Sequence, residues 1–112
     1  MLHSILVTGS TGFVGKRLVP ALQKAFPAAQ IHAAGSASSQ TALALDLAST
    51  ESVNLIISDT KPDAIIHLAA ISHIPTAFKN PEQTWHVNLL GTLKLLNAVT
   101  SRSTPCTFLQ IG

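Results

Sequence analysis

Three glycines at a fixed spacing are the residues of this chain best placed to do chemistry. In Val7-Thr8-Gly9-Ser10-Thr11-Gly12-Phe13-Val14-Gly15 they repeat as G-x-x-G-x-x-G, between a short apolar run and a segment of helical periodicity. A turn in that position is a ready anion cradle, because the first amides of a helix have no partner within it and lie at the positive end of its dipole. Gly9 would permit the tight turn, Gly12 would let the backbone approach a pyrophosphate, and Gly15 would allow the helix to lie close on the strand. The N–H groups of Gly12, Phe13 and Val14 are expected to face the phosphates, with Thr11 in the same turn. Three glycines could also make a plain loop, but the strand before them and the helix after them favour a nucleotide.

The rest of a dinucleotide would need further groups. An acid about 20 residues past the glycines holds the adenosine ribose of NAD, whereas small polar or basic residues accommodate the extra phosphate of NADP. Gly35-Ser36-Ala37-Ser38-Ser39 occupies that place, and no Asp or Glu lies between Gly15 and Asp46. This leans toward NADP, with Ser36 the nearest candidate. Asp46 could face the adenine edge from the end of a third strand, or it could be a turn residue beside a helix.

Other chemistries find less support. His3, His32, His67, His73 and His86 are scattered, with no pair at a ligand spacing on one helix, so no metal site is expected. His67 reads as a core strand residue with a satisfied ring. Trp85 reads as packing. The five carboxylates, Asp46, Glu51, Asp59, Asp63 and Glu82, form no unit with a serine and a histidine. Cys106 is the single cysteine, which excludes an internal disulfide, and it reads as a small buried residue. The chain has no tyrosine at all.

The elements that must position these residues alternate between short apolar runs and helical spacing, the pattern of a parallel sheet wrapped by helices. Residues 4–8 form a first strand, apolar without alternation, as a strand buried on both faces should be. A helix from about Phe13 to Phe26 carries Val14, Leu18, Ala21, Leu22 and Ala25 on one stripe. A second strand spans 30–35 and a third 42–47, joined by a link too short for a crossover helix. Ser49 or Thr50 caps a helix bearing Val53, Ile56 and Ile57, which stops before Lys61-Pro62. A fourth strand covers 63–70 and leads into a loop over 71–79. Asn80-Pro81-Glu82 then starts a helix that keeps its spacing through Trp85, Leu89, Leu93, Leu96 and Val99 to about Ser101. Residues 107–111 make a fifth strand.

All 112 residues are expected to form one domain. Charged residues make up only 11%, and the net charge of +2 is spread without a basic run, so no nucleic-acid surface is expected. No apolar run approaches the roughly 20 residues that span a bilayer, and the start lacks a signal-peptide pattern, so the expectation is no membrane and a cytoplasmic address.

These segments resemble the extended short-chain dehydrogenase/reductase family of sugar-nucleotide epimerases, dehydratases and reductases. Thr8-Gly9-Ser10-Thr11-Gly12-Phe13-Val14-Gly15 looks like its cofactor turn and Asp46-Leu47 like its adenine-contacting pair. His67-Leu68-Ala69-Ala70 is similar to the fourth-strand segment behind ribose and nicotinamide, which implies cofactor contacts at Leu68, Ala69 and Ala70. Pro81-Glu82-Gln83-Thr84-Trp85-His86-Val87-Asn88-Leu89-Leu90-Gly91-Thr92 resembles the long helix whose asparagine, here Asn88, supports the active site. Ser72 lies in the loop after the fourth strand, where such sheets bind ligands. Within the family, residues 71–78 and the brief link between strands two and three are most similar to GDP-6-deoxy-4-keto-mannose reductases, followed by GDP-mannose 4,6-dehydratases.

The resemblance implies a Rossmann-like α/β half-fold with strand order 3-2-1-4-5 and helices on both faces, corresponding to the N-terminal part of the family. It also implies a nucleotide-sugar substrate for the parent enzyme. The family uses a Ser or Thr after the fifth strand and a Tyr-x-x-x-Lys on the next helix, and this chain supplies neither tyrosine nor that helix. The expectation is therefore an inactive cofactor-binding fragment that self-associates through the helix from Asn80 to Ser101 or through the open fifth strand. A 4,6-dehydratase or epimerase and a non-catalytic nucleotide-sensing or interaction module are the rival readings.

Overall fold

A computed structural model describes residues 2–35, 42–69 and 78–111. Every residue of β1 (Ser4–Thr8) is buried. The strand lies at the centre of the sheet, paired in parallel with β2 (Gln30–Gly35) on one side and β4 (Ala64–His67) on the other. β3 (Leu43–Ala44) adds to β2 and β5 (Thr107–Gln110) adds to β4, both in parallel, so the order is the expected 3-2-1-4-5.

Two apolar layers explain why β1 shows no alternation. Ile5 and Val7 point to one face, where Leu22, Leu18 and Val19 of α1 (Phe13–Ala25) cover them together with Ala64. Leu6 points to the other face, with Ala34 and Ile65, under Val53, Ile56 and Ile57 of α2 (Thr50–Thr60) and under Leu95, Ala98 and Val99 of α4 (Gly91–Thr100). The Ser49 hydroxyl caps α2 by accepting from the Ser52 N–H at 3.1 Å, and the helix closes on Lys61 in the left-handed region (φ 44°) just before Pro62.

Several boundaries differ from the sequence-based expectation, each for a local reason. α1 packs through Gly15, Leu18, Val19 and Leu22, whereas Val14 is 54% exposed and Ala21 and Ala25 also face outward. The close seat of Gly15 on the glycine turn rotates the helix away from the stripe drawn through Val14. β3 is two residues long because Asp46 ends it: its Oδ1 accepts from the Ala48 N–H and its carbonyl accepts from the Ser49 N–H, both at 3.0 Å. Cys106 precedes β5 and is half-buried rather than buried, since among the described residues β5 pairs with β4 alone.

The long helix expected from Asn80 is not uniform. A short α3 (Pro81–Trp85) passes into a π-helical segment (His86–Leu90) before α4 begins. The wider π turn takes up an extra residue and rotates α4 about its axis, so Leu95, Ala98 and Val99 meet the core. Trp85, expected to pack, is 64% exposed, and Leu93 is 45% exposed. That leaves the apolar surface anticipated on this helix.

Candidate dinucleotide-binding site

The three glycines of the turn have separate physical reasons. Gly9 lies at φ +66°, and a Cβ there would stand 2.7 Å from the Ala69 amide nitrogen and 2.9 Å from the Leu68 carbonyl carbon. A Cβ on Gly15 would collide with the Gly9 carbonyl oxygen and stand 2.6 Å from Ser10 Cα. Both glycines are demanded by the fold. Gly12 is not, because its φ is −76° and a Cβ would meet just the Gly9 carbonyl oxygen at 3.4 Å, an ordinary contact. The space a Gly12 side chain would take is open, which is what backbone approach by an external group requires.

The amides partly follow expectation. Gly12 N–H donates to the Gly9 carbonyl at 3.1 Å and closes the turn, so it is not a free donor as the sequence suggested. Among the described residues no acceptor meets the N–H groups of Phe13 and Val14, which stand in the first turn of α1 with their side chains exposed. The turn is pinned to the end of β2 by Ser10, whose N–H and hydroxyl both donate to the Ala34 carbonyl at 3.0 Å. Sequence spacing carried no signal for that role of Ser10. This cradle fits a diphosphate: open space at Gly12, unengaged amides and a helix dipole behind them.

Around the turn, Thr11 lies against Gly35 at the end of β2, its Cγ2 3.1 Å from where a Gly35 Cβ would stand. Ser36, Ala70 and Ser72 fall outside the described residues. Asp46 is exposed, and its Oδ1 accepts from the Ala48 N–H in the turn that leads into α2. Leu47 is buried in the core among Leu6, Leu45 and Val53. The Asp46–Ala48 turn is held from α4 by Lys94, whose Nζ donates to the Ala48 carbonyl at 2.7 Å. Leu68 and Ala69 are half-buried directly behind Gly9. Asn88 sits within the π segment, with its carbonyl bonded by the Thr92 hydroxyl at 3.1 Å.

Beneath the turn, His67 is fully buried and both ring nitrogens are satisfied, as expected of a core histidine. Nδ1 is 2.6 Å from the Thr8 hydroxyl and Nε2 is 2.9 Å from the Thr92 hydroxyl. The Phe108 ring packs beside it at 5.9 Å. Burial pushes its pKa down to about 4. Neither Thr8 nor Thr92 was singled out as a partner, because they lie 59 and 25 residues from His67 and no local pattern connects them.

Comparison with known proteins agrees with this geometry. The chain is 37% identical over 119 residues to a GDP-6-deoxy-D-mannose reductase of Pseudomonas aeruginosa, a match covering 100% of the chain and 34% of the relative. A GDP-mannose 4,6-dehydratase of Vibrio cholerae is 39% identical over 54 residues, 48% of the chain and 14% of that relative. Among solved structures, the Thermus thermophilus UDP-glucose 4-epimerase in complex with NAD superposes with a TM-score of 0.74 at 25% identity, over 87% of this chain and 33% of the epimerase. The chain thus spans about a third of the length of the reductase it matches throughout. A sequence profile matches residues 5–112, and the chain belongs to the NAD dependent epimerase/dehydratase family.

Proposed function

We propose that these residues are the dinucleotide-binding portion of an NAD(P)-dependent sugar-nucleotide oxidoreductase, whose parent enzyme reduces a GDP-4-keto-6-deoxyhexose. The observation that carries this reading is the open space at Gly12, a glycine the fold itself does not need. The N–H groups of Phe13 and Val14 hold the diphosphate, and Gly9 and Gly15 keep the turn close enough to the sheet to present them. The roles proposed are the ribose end for Thr11 and Ser36, the adenine end for Asp46 with the Leu47 backbone, and the nicotinamide end for Leu68, Ala69, Ala70 and Ser72. Asn88 supports the reacting end from the π segment.

A bound nicotinamide supplies the hydride exchanged with the keto sugar. The proton is another matter: the family's donor is a tyrosine, and these 112 residues contain none. Binding without turnover is the activity proposed for them alone. A 4,6-dehydratase is the weaker reading: the GDP-mannose 4,6-dehydratase match covers 48% of the chain and a dTDP-glucose 4,6-dehydratase match 85% at 32% identity, whereas the reductase match covers all of it at 37%. The exposed Trp85 and Leu93 and the open β5 edge support self-association.

NADP(H) is preferred over NAD(H), because no acid lies between Gly15 and Asp46 to hold a ribose hydroxyl and repel a phosphate. Calorimetric titration of the purified chain with NADPH and NADH tests both statements. NADPH should bind more tightly; equal or reversed affinities reject the preference, and heat from neither rejects the site.

A further inference from the structure

The hydrogen bonds around His67 determine which ring nitrogen carries the proton. The Thr8 hydroxyl oxygen accepts two backbone N–H bonds, from Ala69 at 3.2 Å and from Leu68 at 3.1 Å, the latter shared with the Thr8 carbonyl at 3.3 Å, and these face its two lone pairs. Its own hydrogen therefore goes to His67 Nδ1, 2.6 Å away. The buried ring is neutral near pH 7 and so has a single hydrogen, which must be on Nε2. That N–H donates to the Thr92 hydroxyl at 2.9 Å, and the Thr92 hydroxyl donates to the Asn88 carbonyl at 3.1 Å. Each bond has one workable direction, and the series runs from the base of the glycine turn to the π segment.

We infer that His67 is a positioning residue, a buried strut in the Nε2–H tautomer that couples the nucleotide-binding turn to the π-helical segment carrying Asn88. The first end is tight: Gly9 lies so close to the Leu68–Ala69 backbone that a Cβ would reach 2.7 Å from the Ala69 nitrogen, and the same two amides are held by Thr8. At the second end, a π turn inside an α-helix is intrinsically less favourable and persists where other contacts hold it. The Thr92 bond to Asn88 within His86–Leu90 is such a contact. Between the ends, the proton cannot move to Nδ1, because the reversed tautomer would crowd a third donor onto the Thr8 hydroxyl, and a flipped ring would face both hydroxyls with carbon and lose both bonds. Phe108 closes the side toward β5. A displacement of the turn on nucleotide binding is thereby transmitted to Asn88, and the reverse.

This inference rests on the nucleotide-binding reading for the meaning of its first end, and the test separates the two. Nitrogen NMR of the His67 ring in the wild-type chain at pH 7 should show a protonated Nε2 and a bare Nδ1; the opposite tautomer overturns the strut without any variant. Thr92→Val keeps the shape and removes the hydroxyl, and Thr92→Ser keeps the hydroxyl. The valine variant should lose about fivefold to tenfold in NADPH affinity, the equivalent of one buried hydrogen bond. It should also speed amide exchange both in residues 86–90 and at Leu68–Ala69, and the serine variant should restore all three. Unchanged exchange at Leu68–Ala69 in the valine variant, or a serine variant as impaired as the valine, overturns the coupling. If the wild-type chain binds no NADPH, the nucleotide reading fails, while the tautomer and the exchange rates still decide the strut.

Discussion

Gly9, Gly12 and Gly15 look alike in the sequence and differ in what they are for, which makes them separable by substitution. Gly9→Ala combines a left-handed backbone with a clash against Ala69 and should cost at least about 1–2 kcal/mol of stability. Gly12→Val should leave the circular dichroism spectrum and unfolding midpoint within about 0.5 kcal/mol of the parent, as a surface change does, and yet abolish nucleotide binding. Retained binding in that variant would show that the ligand sits elsewhere. His67 governs the response to acid. Its native pKa of about 4 lies below the usual 6.5, so the unfolded chain takes up a proton that the folded one refuses. Stability is therefore full above about pH 6.5 and falls by about 3 kcal/mol as pH drops toward 4, a decline visible in urea midpoints measured at successive pH values. Asp63 acts lower down. The His3 and Ser4 N–H groups donate to its Oδ2 at 2.7 and 3.0 Å and hold its carboxyl below the usual value, so its contribution persists above about pH 4 and disappears as pH falls through the depressed pKa.

Two elements show how packing edits a pattern that is correct in outline. α1 was legible from its apolar spacing, but the facing stripe was displaced toward Gly15, because a helix that begins on a tight turn must first clear that turn's backbone. Gly15→Ala should therefore act on the docking of α1 rather than on its helicity. The methyl group would meet the Gly9 carbonyl and Ser10 backbone, which cannot rotate away, and thermal unfolding should show a loss of about 1–3 kcal/mol. An unchanged melting temperature would mean that α1 can shift on the sheet. The helix after Asn80 was legible as a helix and not as an interrupted one. Its spacing from Trp85 to Val99 is continuous at 3.6 residues per turn, and nothing local marks the point at which His86–Leu90 widens into a π turn.

At the scale of the whole molecule, the two faces of the sheet are unequally covered. α2 and α4 cover one face, whereas α1 covers the other over β1, β2 and Ala64 of β4. Leu109 pairs with Ile66 and so shares the α1 face, where it is 50% exposed, and Trp85 and Leu93 add exposed apolar area on the long helix. With 11% charged residues there is little to oppose association through these surfaces. Sedimentation velocity should show a coefficient that rises with concentration, and Leu93→Lys should reduce it if the helix is the contact. A sharp monomer at every concentration would refute self-association.

The sequence alone determined the alternation of strands and helices and the glycine turn, because strand periodicity, helix capping and turn chemistry are local properties that neighbouring residues carry between them, while the strand order came from the family resemblance. It also pointed to the family, through motifs spread over the length of the chain. Only the tertiary structure decided that Gly12 alone of the three glycines is free of internal demand, that Gly12 N–H is consumed by its own turn, and that Thr8 and Thr92 meet on one histidine ring. Those are distances between residues remote in the chain. They exist only once the strands are paired and a buried polar group must find its partners across the core.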